Sequence, residues 1–480
     1  MQSIFWHDYE TFGADPQKDR PCQFAGVRTD MDLNVIEEPV TFYCKPAEDF
    51  LPSAEACLIT GITPQVAMRE GEVEALFAER VSQLFSVPGT CVAGYNSIRF
   101  DDEVTRNLFY RNFIDPYERE WKNGNSRWDI IDIVRLVYVM KPDTLKWPRN
   151  EDDSVSFRLE LLTKENGIEH LSAHDAMSDV YATIELAKLI KLRQPKLYDW
   201  AFSMRDKNKI NDMFHFDSHK PILHVSSKYR ASLGCCALVA PLFRHPSNKN
   251  GVVVWDLRED LSGWTGVSVE DIRSRLYSTT STLGEFAKRP ALKTIHVNKC
   301  PVVLPASSVQ SLDPQRLTEW GIDMDVIKEN LAFLRANPAL LSLFSQVFEG
   351  ESRPAVTDPD LMIYAGGFFS SADKAEMLRV RQSSPQELQE EEFLFSDERL
   401  AEMLFRYKGR NYPQSLSFEE QERWSHHCYE RIMAADSQYL SIEQFGSSLQ
   451  QLASSPELLD EQRFILEELQ LYAESIIPYV

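Results

Sequence analysis

The first 190 residues alternate between strand-like and helix-like patterns of apolar and polar positions. Short runs rich in β-branched and aromatic residues, separated by turn-forming residues, predict strands at Ile4–Glu10, Cys22–Arg28 and Val40–Cys44. A fourth short apolar run predicts a strand at Thr90–Tyr95. Strands that alternate with helical segments in this way are typical of a mixed α/β sheet.

Helical patterns fill the intervals between and after these strands. Residues 72–86 repeat apolar positions at helical spacing, and helices are also expected over residues 102–113 and 128–140. A last helix of this region is predicted to end before Pro195, where the helical spacing stops. The buried face of the 72–86 helix is expected to carry Val73, Leu76, Phe77, Val81 and Leu84.

The pattern changes after residue 220. Residues 221–310 contain short β-rich runs separated by turn signals such as HPSNKN, which predicts a small barrel or sandwich. From Asp313 onward apolar residues recur at helical spacing, so the C-terminal part is expected to be helical. Residues 349–359 (EGESRPAVTDP) have the composition of a linker.

The charge is distributed unevenly along the chain. A formal net charge of −22 should on average repel a polyanion such as nucleic acid. Residues 218–255 and 286–312 nevertheless contain no Asp or Glu, although the two windows together would be expected to hold about ten. These two acid-free windows predict a positive surface that could guide an anionic strand. The alternative is that hydrophobic β segments simply lack acids.

The N-terminal sequence, the length of the apolar stretches and the spacing of the cysteines indicate the cellular location. The N-terminus has no basic region followed by an apolar run, and no apolar stretch approaches the roughly 20 residues needed to cross a bilayer. The eight cysteines are scattered without a CxxC pair, which indicates reduced thiols rather than a disulfide framework or a zinc site. We therefore expect a cytoplasmic protein that is not membrane-bound.

Two acids close the first predicted strand in the sequence His7-Asp8-Tyr9-Glu10. Because side chains alternate along a strand, Asp8 and Glu10 lie on one face and can hold a metal ion between them. Carboxylate oxygens are hard ligands that suit magnesium or manganese. An acid pair at a strand end is also a common solvated terminus, so this motif alone does not define a site.

Two further motifs offer more acids and a histidine. Asp101 follows the run NSIRF after the fourth predicted strand, where it could join the first two acids or could cap the next helix. His174 and Asp179 belong to the run HDAMSD at the start of the helix that ends before Pro195, and the small Ala176 allows that helix to approach the sheet. The alternative is a histidine near a helix N-terminus whose acids stabilise the helix dipole.

Together the three motifs indicate a hydrolytic metal site. Four carboxylates gathered in one place repel one another unless cations neutralise them. Two divalent ions can do so, and they also suit phosphodiester hydrolysis, in which one activates water and the other stabilises the leaving 3′ oxygen. His174 titrates near neutrality and is the candidate general base for the water.

The motifs resemble those of the DEDDh proofreading-exonuclease superfamily, whose members carry DxE, an Asp after N-x-x-x-[FY], and HxAxxD. Longer strings, among them FWHDYETFG, GYNSIRFDDEVTRNLFYRNF and YAGGFFSSADKAEM, resemble the bacterial exonuclease I family, which degrades single-stranded DNA from the 3′ end. The resemblance implies an exodeoxyribonuclease that releases 5′-mononucleotides and acts in DNA repair and recombination. It also implies two Mg²⁺ ions per site, with Mn²⁺ as a substitute, held by Asp8, Glu10, Asp101 and Asp179.

The resemblance further implies three domains and a DNA path. A ribonuclease H-like α/β nuclease domain over residues 1–195 would be followed by a small Src-homology-3-like β-barrel with trailing helices over 196–348. An α-helical C-terminal domain would occupy residues 349–480. Between residues 106 and 121, cations and aromatic rings are interleaved, as single-strand binding requires. The substrate contacts carried over from the family are Glu10, Arg158, Arg106, Tyr117, Trp121, Arg135, Lys207, Asn250 and Lys293.

Partners other than DNA are also implied by the resemblance. The family resemblance implies a monomer that binds the acidic C-terminal tail of single-stranded-DNA-binding protein, with Trp200, Arg316 and Arg335 as candidate contacts. The run Gly366-Gly367-Phe368-Phe369 could be a turn that packs its aromatic rings or a platform that touches DNA.

Two other functions fit part of the sequence. An exoribonuclease or RNA-trimming relative would use the same metal site but would need room and a partner for the 2′-hydroxyl group. A catalytically inactive scaffold would bind DNA or proteins without any need for four acids and a histidine. EDTA separates an enzyme from a scaffold, because it abolishes product formation and leaves a scaffold unaffected.

Overall fold

The computed structural model describes residues 2–170, 175–279, 282–283, 288–350, 356–434 and 438–477. The chain divides into two compact units that do not follow the order of the sequence. Unit 1 comprises Met1–Arg127, His170–Ile184 and Ala355–Val480, and unit 2 comprises Trp128–Glu169 and Glu185–Pro354. The predicted linker at 349–359 includes residues 351–355, which lie outside the described residues, and the three domain boundaries stay a prediction.

A five-stranded mixed sheet begins the chain. Strand β1 (Ser3–Thr11) pairs antiparallel with β2 (Pro21–Thr29) and parallel with β4 (Thr90–Gly94), and β3 (Val40–Tyr43) pairs antiparallel with β2. Strand β5 (Ser126–Asp129) completes the order β3-β2-β1-β4-β5. The four predicted strands are confirmed to within one residue at each end. All nine residues of β2 are buried, as its place beside β1 requires.

The helices of this region follow the predicted order, but one predicted face is partly wrong. In the helix Glu74–Phe85, the buried side chains include Phe77, Ala78 and Val81, which repeat at helical spacing. Leu76 is 50% exposed, because it lies one position away from that buried stripe. The helices are α1 (Ala54–Thr60), α2 (Pro64–Glu70), α3 (Glu74–Phe85), α4 (Asp101–Arg111), α5 (Ile130–Met140), α6 (Leu159–Glu165) and α7 (Ala176–Arg193).

An aromatic core fixes β1 from one side. Phe5 and Tyr9 of β1 are buried in one cluster with Phe24 of β2, Phe42 of β3 and Phe77 of α3. The ring of Phe24 lies 5.0 Å from that of Tyr9 and 5.2 Å from that of Phe42. Because side chains alternate along β1, Phe5 and Tyr9 face this cluster while Asp8 and Glu10 project from the other face of the strand.

Unit 2 contains an antiparallel five-stranded sheet with the strand order β10-β6-β7-β8-β9. Its hydrophobic cluster includes Ile222, Val239, Val252 and Ile295, all of which are buried. The strands are β6 (Ile222–Val225), β7 (Cys236–Arg244), β8 (Gly251–Asp256), β9 (Leu292–His296) and β10 (Val302–Pro305). The helices around this sheet are α8 (Pro195–Ser203), α9 (Lys207–Asn211), α10 (Val269–Tyr277), α11 (Pro314–Glu319), α12 (Met324–Ala336) and α13 (Ala339–Val347).

The C-terminal segment is helical, as predicted, and packs within unit 1. Arg410 donates hydrogen bonds to Asp49 at 2.7 Å and to Asp360 at 2.6 Å, and all three side chains are almost fully buried. This buried ion network joins the C-terminal helices to the N-terminal part of the chain. The helices are α14 (Ser371–Gln382), α15 (Pro385–Glu390), α16 (Glu398–Asn411), α17 (Phe418–Met433), α18 (Ile442–Ala453) and α19 (Asp460–Ile476).

Helix hydrophobicity and the cysteines bear on the cellular location of the chain. In the part of the chain that the structure describes, no helix combines the length and the apolar composition needed to cross a bilayer. The eight cysteines are all free thiols, and seven of them are buried.

Replacing Phe24 with Ala should destabilise unit 1 by about 3–5 kcal/mol, because it removes a fully buried ring from a close-packed aromatic core. The free energy of unfolding, measured with denaturant, tests this. The matched control is Phe418→Ala, at a phenylalanine that is 74% exposed, where a change within about 0.5 kcal/mol is expected. Equal effects in the two variants would contradict the position of Phe24 in the core.

Candidate active site

Three of the four predicted metal ligands converge. Carboxylate oxygens of Asp8, Glu10 and Asp179 all lie within 4.8 Å of one another, which is close enough for one cation to bind all three. Strand β1 supplies the first two from one face, and the first turn of α7 supplies the third. The spacing DxE on a strand therefore has the geometric consequence that the sequence predicted.

The fourth acid, Asp101, lies beside this group as the first residue of α4. Its side chain is buried, and its Oδ1 accepts a hydrogen bond from the backbone N–H of Tyr9 at 3.3 Å. That bond ties the start of α4 to β1 between the two acids of the strand. The negative charge of Asp101 is close enough to raise the pKa of both Asp8 and Glu10.

Burial and mutual repulsion make these carboxylates costly to ionise. Burial, followed by the charges of Asp101, Glu10 and Asp179, raises the pKa of Asp8 well above its usual range. Burial, followed by the charges of Asp179 and Asp101, raises the pKa of Glu10 to about 8. A divalent cation removes this penalty by neutralising the ionised carboxylates. The all-oxygen donor set suits a hard ion such as Mg²⁺ or Mn²⁺.

The structure adds two residues that the sequence analysis missed. Asp175 caps α7 by accepting a hydrogen bond from Ser178 N at 3.1 Å, and its charge also raises the pKa of Asp8 and Glu10. His170 approaches Asp179, with 2.5 Å between Nε2 and Oδ1. Asp175 is part of the HDAMSD motif, whereas the only sequence signal for His170 was its proximity to that motif. The predicted general base, His174, lies outside the described residues.

The predicted DNA contacts in unit 1 differ in exposure. Trp121 is 65% exposed. Arg106 is buried and bonds to Glu103 and Glu120, and its guanidinium group lies 5.5 Å from the centre of the Tyr117 ring. A guanidinium group held by two carboxylates does not face solvent. The contact of Arg106 with DNA stays a prediction, and in the structure its guanidinium group lies against Tyr117.

The aromatic pair that follows Gly367 separates into two environments. Phe369 packs, since its ring stacks on Tyr110 at 5.8 Å and has the guanidinium of Arg399 above it at 4.4 Å. Phe368 is 88% exposed, with its ring edge-on to Tyr117 at 6.1 Å. One ring therefore belongs to the core, and the other is available at the surface.

The predicted contacts in unit 2 also differ from one another. Arg135 is buried and donates to Asp132 at 2.6 Å, and its contact with DNA stays a prediction. Arg158 is 68% exposed and is paired with Glu160. Lys207 is exposed at the start of α9, and Asn250 lies half-buried in the turn before β8.

Lys293 differs from the expectation that it lies on an open positive surface. It is half-buried and pairs in register with Val254, whose side chain belongs to the core cluster of unit 2. Burial is the main cause that lowers the pKa of Lys293, and the nearby charges of Arg289 and Arg258 lower it further. The side chain lies on the core-facing side of β9 because residues paired directly across antiparallel strands share a face.

A group of basic side chains does form where the two acid-free windows meet. We call Lys228, His245, His296 and Lys299 the basic cluster. Burial, followed by the charges of Lys228, Lys299 and His245, lowers the pKa of His296 to about 4. Pairing of β8 with β9 brings the windows together, and Lys228 Nζ donates to the backbone carbonyl of Thr294 in β9.

The three candidate contacts for the tail of single-stranded-DNA-binding protein differ in exposure and in their hydrogen bonds. Arg316 donates to the backbone carbonyl of Tyr138 at 2.8 Å and lies between the rings of Tyr138 and Trp320. Arg335 is exposed and donates to the carbonyl of Ser218 at 2.6 Å. Trp200 is half-buried in α8.

Comparison with known proteins identifies the family. Family models described as Exonuclease, Exonuclease I SH3-like domain and Exonuclease I C-terminal domain match residues 5–187, 205–350 and 357–476. Exodeoxyribonuclease I of Escherichia coli is 46% identical over 479 residues, which cover 99% of each chain.

Solved structures agree with this result over the whole chain. Exonuclease I from Methylocaldum szegediense has a TM-score of 0.94 at 46% identity, covering 99% of this chain and 100% of that one. A zinc-bound complex of E. coli exonuclease I with single-stranded DNA has a TM-score of 0.94 at 44% identity, with the same coverage. The predicted fold of nuclease domain, SH3-like domain and helical C-terminal domain is confirmed, and the family together with the zinc-bound relative indicates that the activity depends on a divalent metal. The chain belongs to the exonuclease I family of hydrolytic exodeoxyribonucleases.

Proposed function

We propose that this protein hydrolyses single-stranded DNA from the 3′ end and releases 5′-mononucleotides. The observation that carries the proposal is the convergence of the half-buried Asp8 and Asp179 with the buried Glu10, with Asp101 beside them. A relative named exodeoxyribonuclease I, and the E. coli structure with single-stranded DNA, support DNA over RNA as the substrate. The complete acid site supports an enzyme over an inactive scaffold.

In the proposed mechanism, the protein holds the metal and moves a proton. Asp8, Glu10, Asp101 and Asp179 would bind two Mg²⁺ ions, for which Mn²⁺ could substitute. Such ions, when bound, activate an attacking water and stabilise the leaving 3′ oxygen. His174 would accept the proton of that water. Glu10 would also contact the terminal nucleotide, and the exposed Arg158 would bind its phosphate.

The rest of the strand would be bound by stacking and by positive charge. Trp121 and Tyr117 offer ring faces on which bases can stack without sequence preference. Lys207, Asn250 and the basic cluster would contact the backbone farther along the strand. Lys293 stays in the proposal as a weaker contributor, since it is half-buried.

The proposal extends to partners and location. We infer a monomeric, cytoplasmic repair enzyme that binds the acidic tail of single-stranded-DNA-binding protein. Arg335 and Arg316 would pair with the tail's carboxylates, and Trp200 would contact its apolar side chains. The free cysteines support a reducing compartment.

Substrates labelled at one end test the function directly. A 3′ label should be released first as a mononucleotide, a 5′ label should pass through a ladder of shorter strands, and blunt duplex should resist. EDTA should abolish product formation.

Asp8→Asn should lose nearly all activity and retain strand binding, whereas Asp325→Asn, at a carboxylate that is 85% exposed, should behave as wild type. Release of the 5′ label first, or equal digestion of duplex, would refute the proposal.

The contribution of Glu10 to the stability of the metal-free protein should be lost as the pH rises from about 5 to 8. Folding raises the pKa of Glu10 from 4.5 to about 8, so the folded state retains a proton that the unfolded chain releases in this range. The free energy of unfolding therefore falls as pH rises. Mg²⁺ replaces the proton as the neutralising charge, so it should raise the melting temperature more at pH 8 than at pH 5.5.

Thermal unfolding in EDTA and in Mg²⁺ at the two pH values measures this difference. The double variant Asp8→Asn/Glu10→Gln is the control, because it removes both carboxyl groups supplied by β1 and should show little response to Mg²⁺ at either pH. The same Mg²⁺ effect at both pH values in the wild type would argue against a metal held by these acids.

Removing two cations of the basic cluster should weaken the binding of long single strands. Each lost phosphate contact reduces the slope of log affinity against log salt by about 0.7, so Lys228→Ala/Lys299→Ala should give a slope shallower by about 1.4. Turnover at saturating DNA should not change. The matched control is Lys188→Ala/Lys328→Ala, at lysines that pair with Glu185 and Asp325. If both double variants keep the wild-type slope, the strand does not contact the basic cluster.

A further inference from the structure

A second histidine contacts the acid site. The Nε2 atom of His170 lies 2.5 Å from Oδ1 of Asp179, and the His170 side chain is only 6% exposed. The two partners are nine residues apart and stand on either side of His174 in the sequence. None of the three short acid motifs, HDYE, NSIRFD and HDAMSD, contains His170.

The direction of this hydrogen bond follows from the chemistry of the pair. An ionised carboxylate has only acceptor atoms, so the contact requires the imidazole to donate its Nε2–H. The bond occupies Oδ1 of Asp179 and restricts rotation of the carboxylate. The same carboxylate contributes an oxygen to the group with Asp8 and Glu10. His170 thus acts on the orientation of a ligand and does not itself belong to that group.

We propose that His170 is a positioning residue that orients the Asp179 carboxylate for metal binding. This inference rests on the proposed metal site. Groups that hydrogen-bond to metal ligands pre-orient them, and losing such a group typically lowers metal affinity about 10–100-fold. A histidine that only filled space in the core would affect the stability of the protein and leave its metal affinity unchanged.

The test measures metal binding without relying on turnover. Calorimetric titration of the full-length protein with Mn²⁺ gives the dissociation constant, and the Mg²⁺ concentration for half-maximal exonuclease activity gives a second measure. His170→Ala should raise both about 10–100-fold. The rate at saturating Mg²⁺ should fall much less, because the ligands themselves remain.

The conservative variant His170→Gln should recover most of the metal affinity, because its side-chain amide can still donate an N–H to Asp179. His426→Ala, at a histidine whose side chain is 65% exposed, is the control for loss of an imidazole and should bind metal as wild type. Wild-type metal affinity in folded His170→Ala, or equal loss in the alanine and glutamine variants, would overturn the inference.

Two further variants keep the test decisive. If His170→Ala does not fold, the metal affinity of His170→Gln is compared with that of His170→Asn, whose shorter side chain cannot reach Asp179. Equal metal affinities in these two variants would again overturn the inference. Asp179→Asn separates this inference from the proposed function. Loss of metal binding in Asp179→Asn but not in His170→Ala would remove only the role of His170, whereas metal binding retained in Asp179→Asn would refute the metal site itself.

Discussion

Repulsion among buried carboxylates is the constraint around which the catalytic part of the chain is built. Asp8 and Glu10 cannot move apart, because β1 is paired on both sides and is held by the aromatic cluster of Phe5 and Tyr9. Asp101 is tied to the same strand by the Tyr9 N–H. The rigid scaffold therefore maintains an arrangement that the acids alone would relax. The free energy lost in holding them together is regained when a cation binds.

The parts of the site that were predictable have strong local periodicity. Alternation along β1 was enough to place Asp8 beside Glu10, and the helical pattern leading to Pro195 placed Asp179 in a first turn. His170 could not be found in this way, because its contact with Asp179 spans a stretch without a helical or strand period. The proposed general base, His174, belongs to the same stretch of sequence, in which no helical or strand periodicity guides a prediction.

The surroundings of the cations were predicted less well than the acid site, because they depend on which acid each cation pairs with. Arg106 and Arg135 stand among aromatic residues and resemble DNA contacts, yet each bonds to an acid three residues away along a helix. Those acids were visible in the sequence as helical i, i+3 neighbours, so the ion pairs could have been anticipated. The burial of Lys293 depends on its register with Val254, which only the sheet reveals.

The ion network around Arg410 has a consequence for how the protein is made. Asp49 and Arg410 are 361 residues apart, and the ribosome needs roughly 20–70 s to add that length at 5–20 residues per second. Throughout this interval the carboxylate of Asp49 lacks Arg410, the guanidinium group that donates to it in the folded protein. The ion network around Asp49 is therefore completed only after α16 has been made, and a chain truncated before α16 is expected to be more susceptible to proteases than the full-length protein.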